Sequence, residues 1–193
     1  MPVRPLAAEA PADQHASGSS RLALGATKQI FTVITWNACG LGIDAVNDLV
    51  SQLADTHFDA LMIQEGPKAI VDTYKILAGG HALFLGNCGT SARSVGVLLH
   101  KRWLDKAAKT AFTSLGARVA SLSVDCSTLR LSLITGHMPH AAYADEEYEA
   151  ALMRIEEAVH DARRSRRTSI VGIDANGVLG TRVPTDSDRI IGE

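Results

Sequence analysis

Residues 30–42 read IFTVITWNACGLG and contain the pattern that decides the fold. The β-branched run over residues 30–36 predicts a strand, and the polar Asn37 follows it at the start of a glycine-containing loop. A helix is predicted next, with Asp44 as its N-cap. Its apolar face is predicted to contain Val46, Leu49, Val50 and Leu53. A strand, a loop and a helix in this order indicate an α/β layered domain.

Further strands are predicted at residues 60–64, 81–85, 95–100, 117–124, 129–135 and 168–173. A long helix is predicted over residues 145–164, with Tyr148, Leu152, Ile155 and Val159 on its buried face. Strands that alternate with helices favour a layered α/β fold. The adjacent strands in the middle of the chain indicate antiparallel pairing, so the sheets are expected to be mixed.

The composition bounds the organisation of the chain. Its 193 residues are 46% hydrophobic, which is enough for one domain with a packed core. Residues 1–28 are rich in Ala, Pro, Ser and Gly and are predicted to form a disordered tail, which leaves 29–193 as the domain. The net charge of −2 provides no overall attraction for nucleic acid or an anionic membrane, so phosphate binding must be local.

The cysteines and the absence of targeting patterns favour an intracellular protein. Cys39, Cys88 and Cys126 are widely spaced and odd in number, which argues against a disulfide framework and a structural zinc site. No apolar run reaches the length of a membrane span. The N-terminal segment lacks the basic-then-apolar layout of a secretory signal. A nuclear or cytoplasmic location without membrane contact is therefore expected.

Polar side chains follow several of the predicted strands. Asn37, Glu65 and His137 each come at such an end, as do Asp174 and Asn176. Each alone has an ordinary explanation, such as an Asx-turn or a solvated loop acid. Because α/β folds gather their sites at the carboxyl ends of strands, the set as a whole predicts a shared site.

Five segments in order resemble the motifs of the endonuclease/exonuclease/phosphatase superfamily, of the exonuclease III and AP-endonuclease type: TWNACGL (35–41), LMIQE (61–65), SVGVLL (94–99), ITGHMPH (134–140) and IVGIDAN (170–176). The likeness covers residues 30–176. It departs from the family pattern at Ile173, which stands between the glycine and the acid. A fainter likeness to retrotransposon-encoded endonucleases lies at 186–193.

The resemblance implies a partial four-layer αββα sandwich of the DNase I-like type and a Mg²⁺-dependent phosphodiesterase, with Mn²⁺ as an alternative ion. Glu65 and Asn37 would bind the metal, and Asp174 would orient or deprotonate the attacking water. Asn176 would donate its amide to a phosphate oxygen, and His137 would lie near the scissile phosphate. Nucleic acid is the expected substrate, and a phospholipid or small phosphate ester is the alternative.

The late strand of the superfamily, which carries an Asp-His pair, has no counterpart after Asn176. The resemblance therefore implies a truncated domain with nuclease activity near background, and it leaves open a catalytically dead remnant of the fold.

Basic residues provide weaker candidates for phosphate contacts. Arg163, Arg164, Arg166 and Arg167 close the long predicted helix, where cations also complement the helix dipole. Arg93, in the loop before the predicted strand at 95–100, and Arg118 are further candidates.

Overall fold

A computed structural model describes residues 20–24, 29–53, 56–89, 93–140 and 143–176. The strands are β1 (Ser20–Leu24), β2 (Gln29–Asn37), β3 (Ala60–Gly66), β4 (Thr73–Ile76), β5 (Ala82–Leu85), β6 (Ser94–Leu99), β7 (Ala107–Ser114), β8 (Val119–Cys126), β9 (Arg130–His137) and β10 (Thr168–Asp174). The helices are α1 (Ile43–Gln52), α2 (Lys101–Leu104) and α3 (Asp145–Arg164).

Two mixed sheets form the centre of the domain. One has the order β1-β2-β3-β6-β5-β4 and the other the order β10-β9-β8-β7. Each contains a parallel pair, β2 with β3 and β9 with β10, and its other pairs are antiparallel. The expected mixture of parallel and antiparallel strands is therefore confirmed.

Apolar side chains fill three layers of core. The central cluster lies between the sheets and includes Phe31, Met62 and Leu133. A second cluster packs α1 against the six-stranded sheet, and a third packs α3 against the four-stranded sheet. Burying an apolar side chain of this size stabilises the fold by about 1.5–3 kcal/mol. The resulting order of helix, sheet, sheet and helix confirms the predicted αββα sandwich.

The long helix packs through a different face from the one predicted. Leu152 is 48% exposed, and the buried positions are Ala151, Ile155, Ala158 and Ala162. Tyr148 and Val159 pack only at the border of this cluster. Small alanine side chains allow the helix to lie close to the sheet. The prediction selected larger apolar residues for the buried face and therefore missed these alanines.

Two local predictions need correction. Ser20–Leu24 lies within the predicted disordered tail but forms β1, which pairs antiparallel with β2. The rest of the predicted tail lies outside the described residues. Gly42, and not Asp44, is the N-cap of α1. Asp44 lies in the first turn of the helix, where the positive end of the helix dipole stabilises its carboxylate.

In the part of the chain that the structure describes, no helix is both long and apolar enough to cross a bilayer.

Candidate active site

Four strands end at one edge of the sandwich, here called the site edge. In the parallel pairs, Asn37 lies opposite Gln64 and Asp174 lies opposite His137, so both sheets deliver polar residues at the same level. Glu65 follows Gln64 directly. The structure therefore brings together all five residues that the sequence singled out, as expected from the carboxyl ends of parallel strands.

Asn37 joins the two acids of the site. Its Nδ2 donates to Glu65 Oε1 at 3.1 Å and to Asp174 Oδ2 at 2.5 Å, across 137 positions of sequence in the second case. Its Oδ1 accepts from the backbone N–H of Cys39 at 2.8 Å. One amide thus fixes two carboxylates that would otherwise repel each other. That Asn37 also binds metal stays a prediction.

A β-bulge positions Glu65. Successive strand residues normally point to opposite faces, which would send Gln64 and Glu65 apart. The pairing of β3 with β6 shifts between Ile63 and Gly66, and Glu65 adopts a left-handed backbone with φ of 47°. Glutamate rarely adopts this conformation, and such strain concentrates at functional sites. The bulge lets Gln64 reach the opposite sheet while Glu65 reaches Asn37.

Gln64 links the two sheets beneath the site, and sequence analysis missed this residue. Its side chain is 2% exposed, and its Nε2 donates to Thr135 Oγ1 at 3.1 Å and to the Gly172 carbonyl at 3.3 Å. Thr35 donates to its Oε1 at 3.2 Å. A buried amide must have such partners, so the network holds β2, β3, β9 and β10 in fixed relation. The available signal was an amide within an otherwise apolar strand.

Asn176 holds His137 in one orientation. The Asn176 Nδ2 lies 2.8 Å from His137 Nε2 and donates to the Met138 carbonyl at 2.6 Å. An amide nitrogen only donates, so His137 Nε2 accepts and its neutral ring carries the proton on Nδ1. The backbone N–H of Asn176 donates to Asp174 Oδ1 at 3.0 Å, which forms the Asx-turn that the sequence also suggested.

His137 is neutral near pH 7 although Glu65 lies close to it. The Nε2 to Glu65 Oε1 distance of 3.4 Å would suit an ion pair, which requires a protonated ring. Burial outweighs this attraction and lowers the pKa of His137 below its ordinary value of 6.5, and the positive charge of Arg118 acts in the same direction. The hydrogen bond from Asn176 is consistent with the neutral form.

The lowered pKa of His137 predicts a loss of stability in acid. Below pH 6.5 the unfolded chain binds the proton while the folded ring resists it, so the free energy of unfolding falls as the pH drops. Urea unfolding at about pH 7.5 and pH 5.5 should show a smaller acid loss in His137→Gln than in the wild type. His81 and His100 also have lowered pKa values, so part of the loss remains in the variant. An equal loss in both proteins would contradict the assignment.

The donor set fits a divalent cation. One ligand atom each from Glu65, His137 and Asp174 can be chosen so that all lie within 4.8 Å of one another. Mg²⁺ prefers carboxylate oxygens, and a neutral imidazole nitrogen also suits Mn²⁺. The site contains two carboxylates, and the amide that bridges them is uncharged. A bound cation would offset the negative charge of the two carboxylates.

Two arginines lie beside the site. The guanidinium of Arg93 lies directly over Gly40, whose N–H donates to the Glu65 carbonyl at 2.8 Å. The carbonyl of Arg118 accepts from the His137 N–H at 2.9 Å. The guanidinium of Arg118 lies over the Tyr143 ring, 4.5 Å from its centroid, and its charge is close enough to lower the pKa of His137. Both arginines therefore add positive charge near the site.

The basic cluster at the end of α3 lies elsewhere. It precedes β10, whose other end carries Asp174. Arg167 forms a bidentate pair with Asp125 at 2.9 and 2.8 Å, and Arg164 pairs with Asp161. The cluster is thus separate from the site, and Arg167 ties the end of α3 to the four-stranded sheet.

Sequence comparison gives no relatives for this chain: no family model matches it, and no curated protein does.

Comparison of structures finds proteins with the same fold. An endonuclease/exonuclease/phosphatase family protein from Leptotrichia buccalis C-1013-b matches with a TM-score of 0.54 and 11% identity, over 76% of this chain and 67% of its own. The endonuclease domain of TRAS1, a telomere-specific non-LTR retrotransposon, matches with a TM-score of 0.52 and 12% identity, over 77% and 60%. The mannosyl-6-phosphatase Bt3783 of Bacteroides thetaiotaomicron VPI-5482 matches with a TM-score of 0.53 and 15% identity, over 76% and 66%.

These matches span 60 to 67% of the length of the three structures. The identities are low, so the likeness is one of architecture. It agrees with the five motifs in the sequence and with the observed order of layers. The chain has the fold of the endonuclease/exonuclease/phosphatase proteins.

Proposed function

We propose that this chain carries the active site of a divalent-metal-dependent phosphodiesterase that cleaves nucleic acid. The convergence of Glu65, His137 and Asp174, with ligand atoms within 4.8 Å of one another, is the observation that carries the proposal. Its support is a shared fold with proteins that include the endonuclease domain of TRAS1. A metal ion held by such side chains can assist the hydrolysis of phosphate esters.

Glu65 and Asp174 would hold Mg²⁺ or Mn²⁺, with His137 as a third ligand, and Asn37 would set the distance between the two acids. When bound, the ion polarises a phosphoryl oxygen and stabilises the charge on the leaving oxygen. Few carboxylates and several exchangeable waters are the usual arrangement for Mg²⁺.

The chain's own groups have separate tasks in this proposal. Each oxygen of Asp174 accepts one hydrogen bond in the structure, which leaves a lone pair to orient the attacking water and take its proton. Water then attacks phosphorus, and the bond to the leaving oxygen breaks. One amide proton of Asn176 now points to His137 Nε2 and would turn to a phosphate oxygen when substrate binds.

Two arginines support an anionic polymer as the substrate. Arg93 lies over Gly40 beside Glu65, and the positive charge of Arg118 acts on His137, so both would attract a phosphate backbone toward the site. The same donors would also serve a phospholipid or a small phosphate ester, and a phosphatase shares the fold.

A catalytically dead remnant is the other alternative; the hydrogen-bond network around Asn37 is intact, which favours an active site. An intracellular location stays a prediction.

Nicking of supercoiled plasmid under single-turnover conditions, with protein in excess and Mg²⁺ or Mn²⁺ present, tests the proposal. We expect nicked circles to form in the presence of the metal and not to form when EDTA is added before the reaction. We expect no release of phosphate from a small phosphomonoester. Hydrolysis of a phosphomonoester or a phospholipid without nicking would replace nucleic acid as the substrate. Metal-dependent hydrolysis of none of these substrates would favour the remnant.

A further inference from the structure

A second cavity lies at the opposite end of the six-stranded sheet from the site edge. It has a volume of about 540 Å³ and is bounded by the last turns of α1, the segment before β5 and the residues that follow β6. Val50 and Phe58 give it an apolar wall. His81, His100 and Lys101 contribute polar groups. Cavities that combine apolar walls with a few convergent polar groups are typical of small-molecule sites.

The two histidines of this cavity present hydrogen-bond donors. The backbone N–H of Lys101 donates to His81 Nδ1 at 3.3 Å, and that of Arg102 donates to His100 Nδ1 at 3.2 Å. A ring whose Nδ1 accepts must carry its proton on Nε2 when neutral. Burial lowers the pKa of both rings, and Lys101 adds to this effect. Both therefore present an Nε2–H at neutral pH.

His81 Nε2 has no acceptor among the described residues, although the residue is only 8% exposed. A buried donor without a partner is costly, so such a group normally meets water or a ligand. Gly79 leaves this edge of the ring open: a Cβ at position 79 would lie 3.0 Å from Nε2 and 2.7 Å from Cδ2. The backbone of Gly79 lies outside the left-handed region, so its conformation does not require glycine.

We propose that this cavity binds a small organic anion, whose carboxylate or phosphate oxygens accept from Nε2–H of His81 and of His100 and from Nζ of Lys101. The two imidazole rings lie 4.5 Å apart between centroids, which is close enough for one anionic group to meet both. The apolar part of the ligand would lie against Val50 and Phe58.

A transition metal fits this cavity poorly. Coordination through Nε2 would move the proton of each ring to Nδ1, where it would face the backbone N–H that now donates to that atom. The donors in the cavity suit an acceptor of hydrogen bonds, and anions are the strongest acceptors.

Titration calorimetry with two probes, benzoate and inorganic phosphate, tests the proposal. Benzoate has both an oxyanion and an apolar ring, while phosphate isolates the oxyanion. We expect benzoate to bind, and phosphate binding would identify a phosphate ester as the better ligand class. Binding of neither probe, or binding of Zn²⁺ through the histidines in place of both, would overturn the proposal.

Two substitutions at position 81 distinguish the effect of removing the Nε2 donor from a general effect on the fold. His81→Asn retains an acceptor for the Lys101 N–H and removes the donor at the Nε2 position, so the affinity for the bound probe should fall about tenfold or more. His81→Gln retains a donor near Nε2 and should bind within a few fold of the wild type. An equal loss in both variants would contradict the role of Nε2.

Gly79→Ala provides a test that leaves the histidine unchanged. The added methyl group would lie 2.7 Å from His81 Cδ2, so the buried ring must shift, and both the binding and the thermal unfolding temperature should fall. His160→Asn, at an exposed position of α3, is the matched control and should change neither. None of these variants should alter metal-dependent nicking, so the outcome is independent of the proposed function.

Discussion

Asp174→Asn should lower the rate of metal-dependent cleavage by about 10²–10³-fold. The substitution retains the shape of the side chain but removes its charge and one acceptor oxygen. Asn37 Nδ2 and the Asn176 N–H now donate to the two carboxylate oxygens, so an amide nitrogen in either place would put two donors face to face. The loss should appear in the maximal single-turnover rate of nicking at saturating protein, because the water-activating group acts in the transition state.

A control variant and a second variant at the site show whether this loss is specific to the site. Asp161→Asn changes an exposed acid that pairs with Arg164 on α3 and should leave the rate unchanged. Glu65→Gln should weaken Mn²⁺ binding, measured by the paramagnetic signal of the free ion, because it removes a carboxylate from the donor cluster. Cleavage that survives Asp174→Asn at the wild-type rate would remove Asp174 from the reaction.

The sequence predicted that these polar residues share one edge of the fold, but it could not give their geometry. Strand ends are visible as apolar runs followed by a polar residue, which is how Asn37, Glu65 and Asp174 were found. The Asn37 amide contacts both acids only because the two sheets pack together. Asn37 and Asp174 are 137 positions apart in the sequence, so no local pattern indicates this contact. The bulge at Glu65 also has no local sequence signal, since glutamate is an unusual residue for a left-handed backbone.

The missed strands have a common physical cause. β4 and β7 are the outer strands of their sheets, and most of their residues are partly or fully exposed. An edge strand buries little on either face, so the alternation of apolar and polar residues that marks inner strands is weak. β1 is also an outer strand, in a segment whose composition suggested disorder. β10 is an outer strand too, but the apolar residues at its centre allowed the pattern to predict it. The other three strands that end at the candidate site, β2, β3 and β9, are inner strands and were also predicted.

Asp59→Ala should lower the free energy of unfolding by about 3–5 kcal/mol, because it leaves buried donors and a charge without their partner. Asp59 is fully buried just before β3. Its Oδ2 accepts from the Thr32 N–H at 2.6 Å, and its Oδ1 accepts from Arg102 Nε at 2.7 Å. The indole N–H of Trp103 also donates to Oδ1, and this ring packs in the central core against Phe31.

Urea unfolding of wild type, Asp59→Ala and the exposed-pair control Asp161→Ala would measure the effect. The control should lose less than about 1 kcal/mol, because exposed ion pairs contribute little. Asp59→Asn retains one acceptor but turns an amide nitrogen toward a donor, so its stability should fall between those of the wild type and Asp59→Ala. Equal stabilities of Asp59→Ala and Asp161→Ala would show that the Arg102 and Trp103 donors find water when the carboxylate is removed, and that the buried carboxylate does not fix the start of β3.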